Sequence, residues 1–385
     1  MSASFNGGFG IYVHWPFCAA KCPYCDFNSH VRSQIDETAW ANGIARELDY
    51  VASLQGAQRP AVETIFFGGG TPSLMSGKSA GAILDKIASL WPLEYDVEIT
   101  LESNPASADA KRFRDYRAAG INRLSLGVQA LNDTDLKALG RLHDVAEAKA
   151  ALALAMKTFD RVSLDLIYAR PAQTIAEWSA ELREALSFGT EHLSLYQLTI
   201  EPATPFATLA RTGALRIPDD DTAAALYETT QELTEAAGVP AYEISNHARS
   251  GAECRHNLLY WRYGSYAGVG PGAHGRLQLA ERRFATSSER LPERWQERVM
   301  ATGHGYVEQT EIPREDAARE HLLMNLRLRE GLDLAAYESR WGVALDRSRI
   351  DALARDGFVS LVKGQLAATP KGRMVLNSVI AELAR

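Results

Sequence analysis

From Ile11 to Cys25 the chain reads IYVHWPFCAAKCPYC, a short β-rich run that leads directly into a cysteine-rich loop. The loop carries Cys18, Cys22 and Cys25 in a C-x3-C-x2-C spacing. Three thiolates on one loop can converge on a single metal centre, and soft sulfur ligands suit iron–sulfur clusters or zinc. A four-iron cluster held by three cysteines leaves one iron open to bind a small molecule. The sequence therefore predicts a metal centre directly after the first strand.

Two other interpretations of these cysteines stay open at this point. A structural zinc site normally has four ligands, often in paired C-x-x-C hooks, and this chain has one hook of three. Three unrelated buried thiols are the simplest alternative. Clustering of three out of four cysteines in a chain without a disulfide framework favours metal binding or catalysis.

Short β-rich runs alternate with helical patterns over the first 200 residues. Strands are predicted at residues 11–15, 64–69, 97–102, 123–129, 161–168 and 192–199, and helices around Trp40, Ile44, Leu48 and Val51 behind an Asp36 cap, at 109–119 before Gly120, and at 144–157. Strand and helix in alternation are typical of βα units around a parallel sheet. The fold class predicted from this region is α/β.

Polar groups and glycines recur near the ends of the predicted strands. They are the run Gly68–Pro72, Glu102, Gln129, Asp165 and Gln197. Functional residues of a parallel barrel come from the carboxyl ends of its strands, which form one face. This placement favours a partial, TIM-like (β/α)6 barrel with its site on that face over an open doubly wound sheet.

The pattern loosens beyond residue 200 and changes again from about residue 313. A helix is predicted at 222–237 and a strand at 241–245, and further helices at 315–328, 333–341, 347–355 and 371–384 with a hairpin of 358–362 and 365–369 around Lys363–Gly364. These elements predict a small winged-helix-like C-terminal domain. The expected division is residues 1–240 as the partial barrel, 241–310 as a barrel-closing and ligand-binding region, and 311–385 as the C-terminal domain.

Composition excludes several classes of protein. With 41 Lys+Arg and 48 Asp+Glu the formal charge of the 385 residues is −7, which argues against nucleic-acid binding. Positive and negative charges are also nearly balanced in the winged-helix-like region. No apolar run approaches the roughly 20 residues of a membrane span. The N-terminal residues carry no secretion signal, so we expect a cytoplasmic location.

The cysteine motif and the strand ends together resemble the radical S-adenosylmethionine (SAM) superfamily. The resemblance implies a [4Fe–4S] cluster on the three cysteines, with SAM bound at the open iron and cleaved to methionine and a 5′-deoxyadenosyl radical. It implies that GGGTP, residues 68–72, contacts the methionine amino group. The SAM contacts that it implies are Tyr12, Tyr24, Gly69, Gly70, Thr71, Glu102, Gln129, Arg141 and Asp165.

Within the superfamily the whole chain resembles the coproporphyrinogen dehydrogenase-like group. The motifs that carry this resemblance are YVHWPFC, FFGGGTPS, ESNP, SLGVQ, LGRLH, DLIY, YEISN and GVGPGAH. One subfamily comprises oxygen-independent dehydrogenases that decarboxylate two propionates of coproporphyrinogen III. The other comprises heme chaperones, which transfer heme to acceptor proteins.

Three features favour the chaperone subfamily. The dehydrogenases carry a fourth cysteine at the position of Phe27, and they have an N-terminal extension, whereas Cys18 lies close to the beginning of this chain. The segment HNLLYW, residues 256–261, matches the HNxxYW motif of the chaperones. A third class, an iron–sulfur protein that only binds a partner through its C-terminal domain, stays open.

The HNxxYW resemblance implies heme ligation by His256. Neutral imidazole is a common axial ligand of heme iron, and Tyr260 and Trp261 supply flat apolar area for a porphyrin. Cys254 is a second candidate ligand, although an inert buried thiol is the better interpretation. The partners expected are heme, a heme-accepting protein for which a membrane-associated acceptor is one candidate, an electron donor protein and a second copy of the chain.

One motif is set aside. Gly270, Gly272 and Gly275 spell G-x-G-x-x-G, but RLQLAERRF follows rather than a helix, and no acidic residue stands where a dinucleotide site needs one. We expect the stretch GVGPGAHG to close one side of the barrel mouth.

Overall fold

The computed structural model describes residues 7–57 and 59–385. The N-terminal residues that bear on a secretion signal lie largely outside this part. The strands are β1 (Phe9–Trp15), β2 (Phe17–Cys18), β3 (His30–Val31), β4 (Val62–Gly69), β5 (Leu93–Ser103), β6 (Arg123–Gln129), β7 (Arg161–Tyr168), β8 (His192–Gln197), β9 (Asn246–Ala248), β10 (Ser265–Val269), β11 (His274–Leu279), β12 (Arg282–Ser288), β13 (Tyr306–Glu311), β14 (Leu332–Asp333), β15 (Val359–Val362) and β16 (Gln365–Ala368).

Helices connect most of these strands. They are α1 (Glu37–Gln55), α2 (Gly77–Leu90), α3 (Ala110–Ala119), α4 (Asp133–Ala138), α5 (Val145–Thr158), α6 (Ile175–Ser187), α7 (Pro205–Arg211), α8 (Asp220–Ala236), α9 (Arg255–Trp261), α10 (Pro292–Thr302), α11 (Arg314–Asn325), α12 (Leu334–Trp341), α13 (Arg347–Arg355), α14 (Pro370–Met374) and α15 (Leu376–Leu383). Within the described ranges, no helix is long and apolar enough to cross a membrane.

One large sheet forms the partial barrel. Its strand order is β13-β12-β11-β10-β1-β4-β5-β6-β7-β8-β9. The strands from β1 to β8 in this order pair in parallel, as do β10 and β1, while β9 and β11–β13 are antiparallel to their neighbours. The six βα units predicted from the sequence are confirmed, and β10–β13 extend the same sheet beyond β1.

Local sequence explains where the helices begin and end. Asp36 accepts a hydrogen bond of 2.9 Å from the backbone N–H of Ala39, which caps α1 as predicted. α3 ends at Gly120 in the left-handed conformation, with φ of 111°. The predicted apolar stripe of α1 is confirmed by the burial of Trp40, Ile44, Leu48 and Val51.

The pleat of β1 decides which side chains reach the barrel interior. Ile11, Val13 and Trp15 are fully buried against the surrounding helices. Tyr12 and His14 lie on the opposite face of the strand because successive side chains alternate. β1 therefore contributes to the core with one face and to the barrel interior with the other.

The C-terminal elements have a hydrophobic core of their own. Leu322, Leu332, Ile350, Leu366 and Val379 are buried within it. β14, β16 and β15 form a three-stranded sheet, and the predicted hairpin turns at Lys363 and Gly364. The predicted division at residue 311 falls on the last residue of β13, shortly before the start of α11.

Ionic and aromatic contacts join this region to the barrel. Arg276 of β11 pairs with Glu320 of α11 at 3.0 Å. The hydroxyl of Tyr263 donates to the same carboxylate at 2.8 Å, and the guanidinium of Arg283 lies 3.8 Å from the centre of the Tyr263 ring. The side-chain amide of Asn325 donates to the carbonyl of Trp261 at 2.7 Å, so α11 also contacts the end of α9.

Two predicted elements are wrong. Residues 241–245 do not form a strand, because the carboxylate of Glu243 accepts hydrogen bonds from the backbone N–H groups of Ile244 and Ser245. These donors would otherwise pair with a neighbouring strand. The predicted helix 371–384 is divided into α14 and α15 at Val375, whose φ of −125° is not helical.

Candidate cofactor and ligand site

The three cysteines lie on the loop that begins with β2. Cys18, Cys22 and Cys25 are all unpaired and half-buried. In the described ranges, no three His, Cys, Asp or Glu side chains are close enough to hold a single metal ion. In a four-iron cluster each thiolate binds a different iron, so the thiols need not converge on one point. Burial raises the pKa of the Cys18 and Cys25 thiols.

Two side chains from neighbouring loops contact the thiols. The hydroxyl of Thr71 donates to Sγ of Cys18 at 3.3 Å. Nη1 of Arg141 donates to Sγ of Cys22 at 3.5 Å, and Nη2 donates to the carbonyl of Gly127 at 2.8 Å. These donors supply positive potential where thiolate charge would develop. Nε of Arg141 is buried without a hydrogen-bond partner.

The glycine run at the end of β4 has no room for side chains, because other segments of the protein lie close to it. A Cβ atom on Gly70 would lie 2.6 Å from the carbonyl oxygen of Phe17, and one on Gly69 would lie 2.6 Å from the His14 ring. The N–H groups of Gly70 and Thr71 donate to carbonyls of Trp15 and Phe17. The run therefore fixes the cysteine loop against the end of β4.

A cavity of about 470 Å³ lies beside the cysteine loop at the carboxyl ends of the strands. Nearly all of the predicted cluster and SAM residues line it: Cys18, Cys22, Tyr24, Cys25, Gly69, Gly70, Thr71, Glu102, Gln129, Arg141 and Asp165. These residues come from widely separated parts of the chain. The structure thus brings together the set that the sequence assigned to one site.

Two carboxylates in this cavity have different environments. Burial, and then the charge of Asp165, raise the pKa of Glu102 to about 8, while a hydrogen bond from the N–H of Gly69 opposes the shift. Asp165 accepts hydrogen bonds of 2.9 Å from Ser125 and 3.0 Å from Ser163. At neutral pH Glu102 is therefore largely protonated until a cation enters the cavity.

Gln129 has an uncommon backbone conformation and an unpaired side-chain oxygen. Its φ of 77° lies in the left-handed region, which is uncommon for a residue other than glycine. Its Oε1 is buried without a hydrogen-bond partner. With Nε of Arg141 it forms a pair of buried groups, an acceptor and a donor, that lack partners on two side chains lining this cavity. A zwitterionic amino acid group such as that of SAM would satisfy both, and three thiols suit the cluster.

Tyr12, alone among the predicted SAM contacts, does not line the first cavity. Its hydroxyl forms a hydrogen bond of 3.0 Å with Nδ1 of His14, and its ring stacks on Phe66 with centroids 6.3 Å apart. It lines a second cavity, of about 430 Å³, which adjoins the first. The lining of the second cavity is Tyr12, His14, Phe27, Asn28, Gly69, Glu102, Tyr260, Tyr266, Gly272, His274 and Arg290.

His256 lies behind the wall of the second cavity. Its side chain is 1% exposed, and its Nδ1 forms a hydrogen bond of 2.7 Å with the hydroxyl of Thr64. Its Nε2 forms another with the hydroxyl of Tyr260, which itself lines the cavity. Burial, and then the charge of Arg123, lower the pKa of His256 to about 3, so the imidazole is neutral. Heme ligation by His256 stays a prediction.

The thiol of Cys254 is buried beside Glu98, 3.5 Å from its carboxylate. Burial raises the pKa of this thiol to about 12, so it stays protonated. This environment agrees with an inert buried cysteine. The G-x-G-x-x-G stretch continues into strand β11 and not into the helix that a dinucleotide fingerprint requires.

Some lining residues were missed at the level of sequence. Ser125 holds the Asp165 carboxylate, and Tyr196, Glu201 and Asn104 line the first cavity. Tyr196 directly precedes Gln197 at the end of β8, so the rule that singled out strand ends would have found it. Ser125 precedes the end of β6 by four residues and gave no comparable signal.

Sequence profiles match both parts of the chain. Residues 12–185 match the radical SAM superfamily, and residues 312–375 match the HemN C-terminal domain. The second match coincides with the small domain that begins at α11.

Curated relatives match over almost the full length. The heme chaperone HemW of Escherichia coli (strain K12) is 38% identical over 379 residues, which cover 96% of each chain. A mitochondrial protein of Bos taurus, radical S-adenosyl methionine domain-containing protein 1, is 38% identical over 384 residues, which cover 97% of this chain and 86% of the relative.

Among solved structures, the coproporphyrinogen III oxidase HemN of Escherichia coli superimposes with a TM-score of 0.82. The alignment covers 98% of this chain and 90% of HemN, at 22% identity. This similarity establishes the shared fold.

Proposed function

The chain belongs to the radical SAM superfamily and, within it, to the family of the heme chaperone HemW, and from this membership we propose that it binds heme and transfers it to acceptor proteins. The family's cofactors are a [4Fe–4S] cluster and SAM. We place the cluster on Cys18, Cys22 and Cys25, and SAM in the cavity beside them.

The observation that carries the proposal is the wall shared by the two cavities. Phe27, Gly69 and Glu102 line both of them. A ligand in the second cavity would therefore lie directly against SAM. The second cavity is rich in tyrosine, and aromatic rings bind flat apolar ligands with large buried area. Heme fits this chemistry, and its binding would respond to what occupies the first cavity.

The residues around the cluster have distinct roles. When bound, the cluster supplies an electron and an open iron. Arg141 and Thr71 donate hydrogen bonds to the cysteine sulfurs, which stabilises their charge. Gln129 presents a buried acceptor to the amino group of SAM, and Asp165 presents a carboxylate held by two serines. Glu102 loses its proton when the cationic ligand enters.

The α9 helix is proposed as one wall of the heme site. Tyr260 faces the second cavity, and Trp261 is half-buried at the junction with α11. Ligation of heme iron by His256 requires its ring to exchange the hydrogen bond with Tyr260 for the metal. We retain His256 as a predicted ligand of such a rearranged state.

The remaining partners are proposals of the same kind. Transfer needs a heme-accepting protein, for which a membrane-associated acceptor is one candidate class, and reduction of the cluster needs an electron donor protein. A homodimer and a cytoplasmic location are also proposed. The mitochondrial relatives show that the location of family members differs. The net charge of −7 supports a function without nucleic acid.

The alternative is an oxygen-independent coproporphyrinogen III dehydrogenase. It is supported by the fold shared with HemN. Against it stands Phe27, which is 60% exposed at the entrance to both cavities, in place of the cysteine expected of a dehydrogenase.

The experiment uses anaerobically purified, cluster-reconstituted protein. Titration with heme should give a saturable Soret band, and its absence would contradict the chaperone function. In parallel, the protein is incubated with coproporphyrinogen III, SAM and dithionite. We expect no protoporphyrinogen, and its formation would establish the dehydrogenase instead. The iron content measured beforehand ensures that both assays use the loaded protein.

A further inference from the structure

The second cavity contains one histidine whose ring is not engaged by the protein. Resting on the proposed heme-binding function, we propose that His274, and not His256, is the axial ligand of heme iron in the conformation described here, with Arg290 binding a heme propionate. His274 belongs to the stretch GVGPGAHG, for which the sequence suggested only a role in closing the barrel mouth.

The position of His274 makes its ring available. It is the first residue of β11, pairs in register with Ser287 of β12, and is exposed. Within residues 7–57 and 59–385, neither ring nitrogen of His274 has a hydrogen-bond partner. The ring also lines the second cavity. An imidazole with both nitrogens available and a cavity in front of it can bind iron without any rearrangement.

The other two histidines near the cavity use both of their ring nitrogens in hydrogen bonds within the protein. His14 uses Nδ1 for the hydroxyl of Tyr12 and Nε2 for the carbonyl of Asn28, at 3.0 and 2.8 Å. His256 uses both nitrogens for hydroxyls of Thr64 and Tyr260. Iron ligation by either would leave buried hydroxyl or carbonyl groups without a partner, which costs about 1–3 kcal/mol for each group.

The protonation state of His274 also suits a metal. Partial burial, and then the charges of Arg276 and Arg290, lower the pKa of His274. The ring is therefore neutral at pH 7 and carries the lone pair that iron needs. Because Arg276 is paired with Glu320, its charge is partly compensated.

Aromatic rings form the wall beside this imidazole. The rings of Tyr260 and Tyr266 lie 4.3 Å apart between centroids, and Tyr12 and His256 stack at 6.5 Å. Burial raises the pKa of Tyr12, Tyr260 and Tyr266, so all three phenols stay neutral. They offer apolar surface for a macrocycle and hydroxyl groups near its edge.

Arg290 supplies the charge that a propionate needs. Its side chain is exposed at the rim of the second cavity, and no carboxylate of the described ranges forms an ion pair with it. An arginine binds a carboxylate through two parallel hydrogen bonds. A planar ligand with iron at its centre and carboxylates at its edge therefore matches His274 and Arg290 together.

The test compares ferric heme titrations of the reconstituted full-length protein and its variants. We expect His274→Ala to weaken heme binding at least tenfold and to shift the Soret maximum, and added imidazole to restore the wild-type spectrum. Arg290→Gln should weaken binding with an unchanged Soret maximum. His304→Ala, which removes a histidine outside both cavities, is the matched control.

The outcomes distinguish a failure of the proposed heme binding from a failure of the ligand assignment to His274. If the wild-type protein gives no Soret band, the proposed function itself fails. If it binds heme and His274→Ala keeps the same affinity and spectrum, the ligand assignment is overturned while heme binding stands. Where His274→Ala fails to fold by circular dichroism, His274→Gln takes its place, because it keeps a polar side chain at the start of β11.

Discussion

Nε2 of His256 and the hydroxyl of Tyr260 are hydrogen-bonded at 2.5 Å across one turn of α9. The histidine is buried and the tyrosine faces the second cavity. Thr64 holds the other ring nitrogen at 2.7 Å. His256 and Tyr260, both from the HNLLYW segment, are therefore hydrogen-bonded to each other. The histidine influences the shape of the cavity by holding the tyrosine ring in place.

This arrangement predicts a stability effect of His256→Ala. The change leaves the hydroxyls of Thr64 and Tyr260 without partners and creates a void next to Phe66, whose ring stacks on His256 at 5.1 Å. We expect the free energy of unfolding to fall by about 2–5 kcal/mol. Urea denaturation measures it. His256→Gln, which keeps polar atoms in the pocket, should lose less, and equal stability of all three proteins would contradict the buried network.

The cysteine loop and the buried cysteine should respond differently to the same change. Cys22→Ser removes a cluster ligand, so iron and sulfide after reconstitution should fall to a small fraction of the wild-type content. Cys254→Ser changes a thiol that lies beside Glu98, outside both cavities, and should leave the iron content unchanged. Loss of the cluster from both variants would refute the assignment of the loop.

The pKa of Glu102 predicts a pH dependence of SAM binding. Since burial and Asp165 raise this pKa to about 8, the carboxyl is protonated at lower pH and must lose its proton to accept from a cation. The affinity for SAM should therefore rise with pH, by up to about tenfold per unit, and level off above about 8. Isothermal titration from pH 6.5 to 8.5 measures this rise.

Glu102→Gln is the control for this titration. The amide is nearly the same size as the carboxyl and does not titrate, so its SAM affinity should be lower and almost independent of pH. If the variant keeps the wild-type slope, another group controls the pH dependence.

Periodicity and strand-end polarity predicted the barrel and part of its first cavity, whereas Tyr24 and Arg141 were assigned to that cavity by the family resemblance. Parallel strands place their carboxyl ends on one face, so Glu102, Gln129 and Asp165 converge although they are far apart in sequence. The same logic did not place Tyr12, because its partner is His14 on its own strand. Pairing of that kind depends on rotamers that a sequence pattern does not encode.

The wrong strand prediction at residues 241–245 has a physical cause. The carboxylate of Glu243 accepts hydrogen bonds from backbone N–H groups that would pair with a neighbouring strand. Such a side-chain acceptor leaves no trace in the hydrophobic periodicity of the sequence. The availability of the His274 ring could not be predicted from the sequence either. It depends on how β11 meets β10 and β12, which are long-range contacts that hydrophobic alternation alone does not specify.

A buried ion pair supports the loop that follows Gln129, and its removal should destabilise the protein. Arg170 is 2% exposed and donates to the carboxylate of Glu181, which also accepts from the backbone N–H of Leu131 at 2.6 Å. Glu181→Ala leaves this cation buried with only part of its compensation. We expect a loss of about 3–5 kcal/mol in the free energy of unfolding, measured by urea denaturation.

The matched control for Glu181→Ala is an exposed pair. Lys111 and Asp115 are 2.7 Å apart on the surface of α3, with side chains 78% and 43% exposed. Asp115→Ala should change the free energy of unfolding by less than about 1 kcal/mol, because solvent screens the charges. Since Leu131 follows Gln129 closely, Glu181→Ala should also weaken SAM binding, whereas the surface variant should not. Equal effects of the two variants on stability would show that burial does not decide the strength of the Arg170 pair.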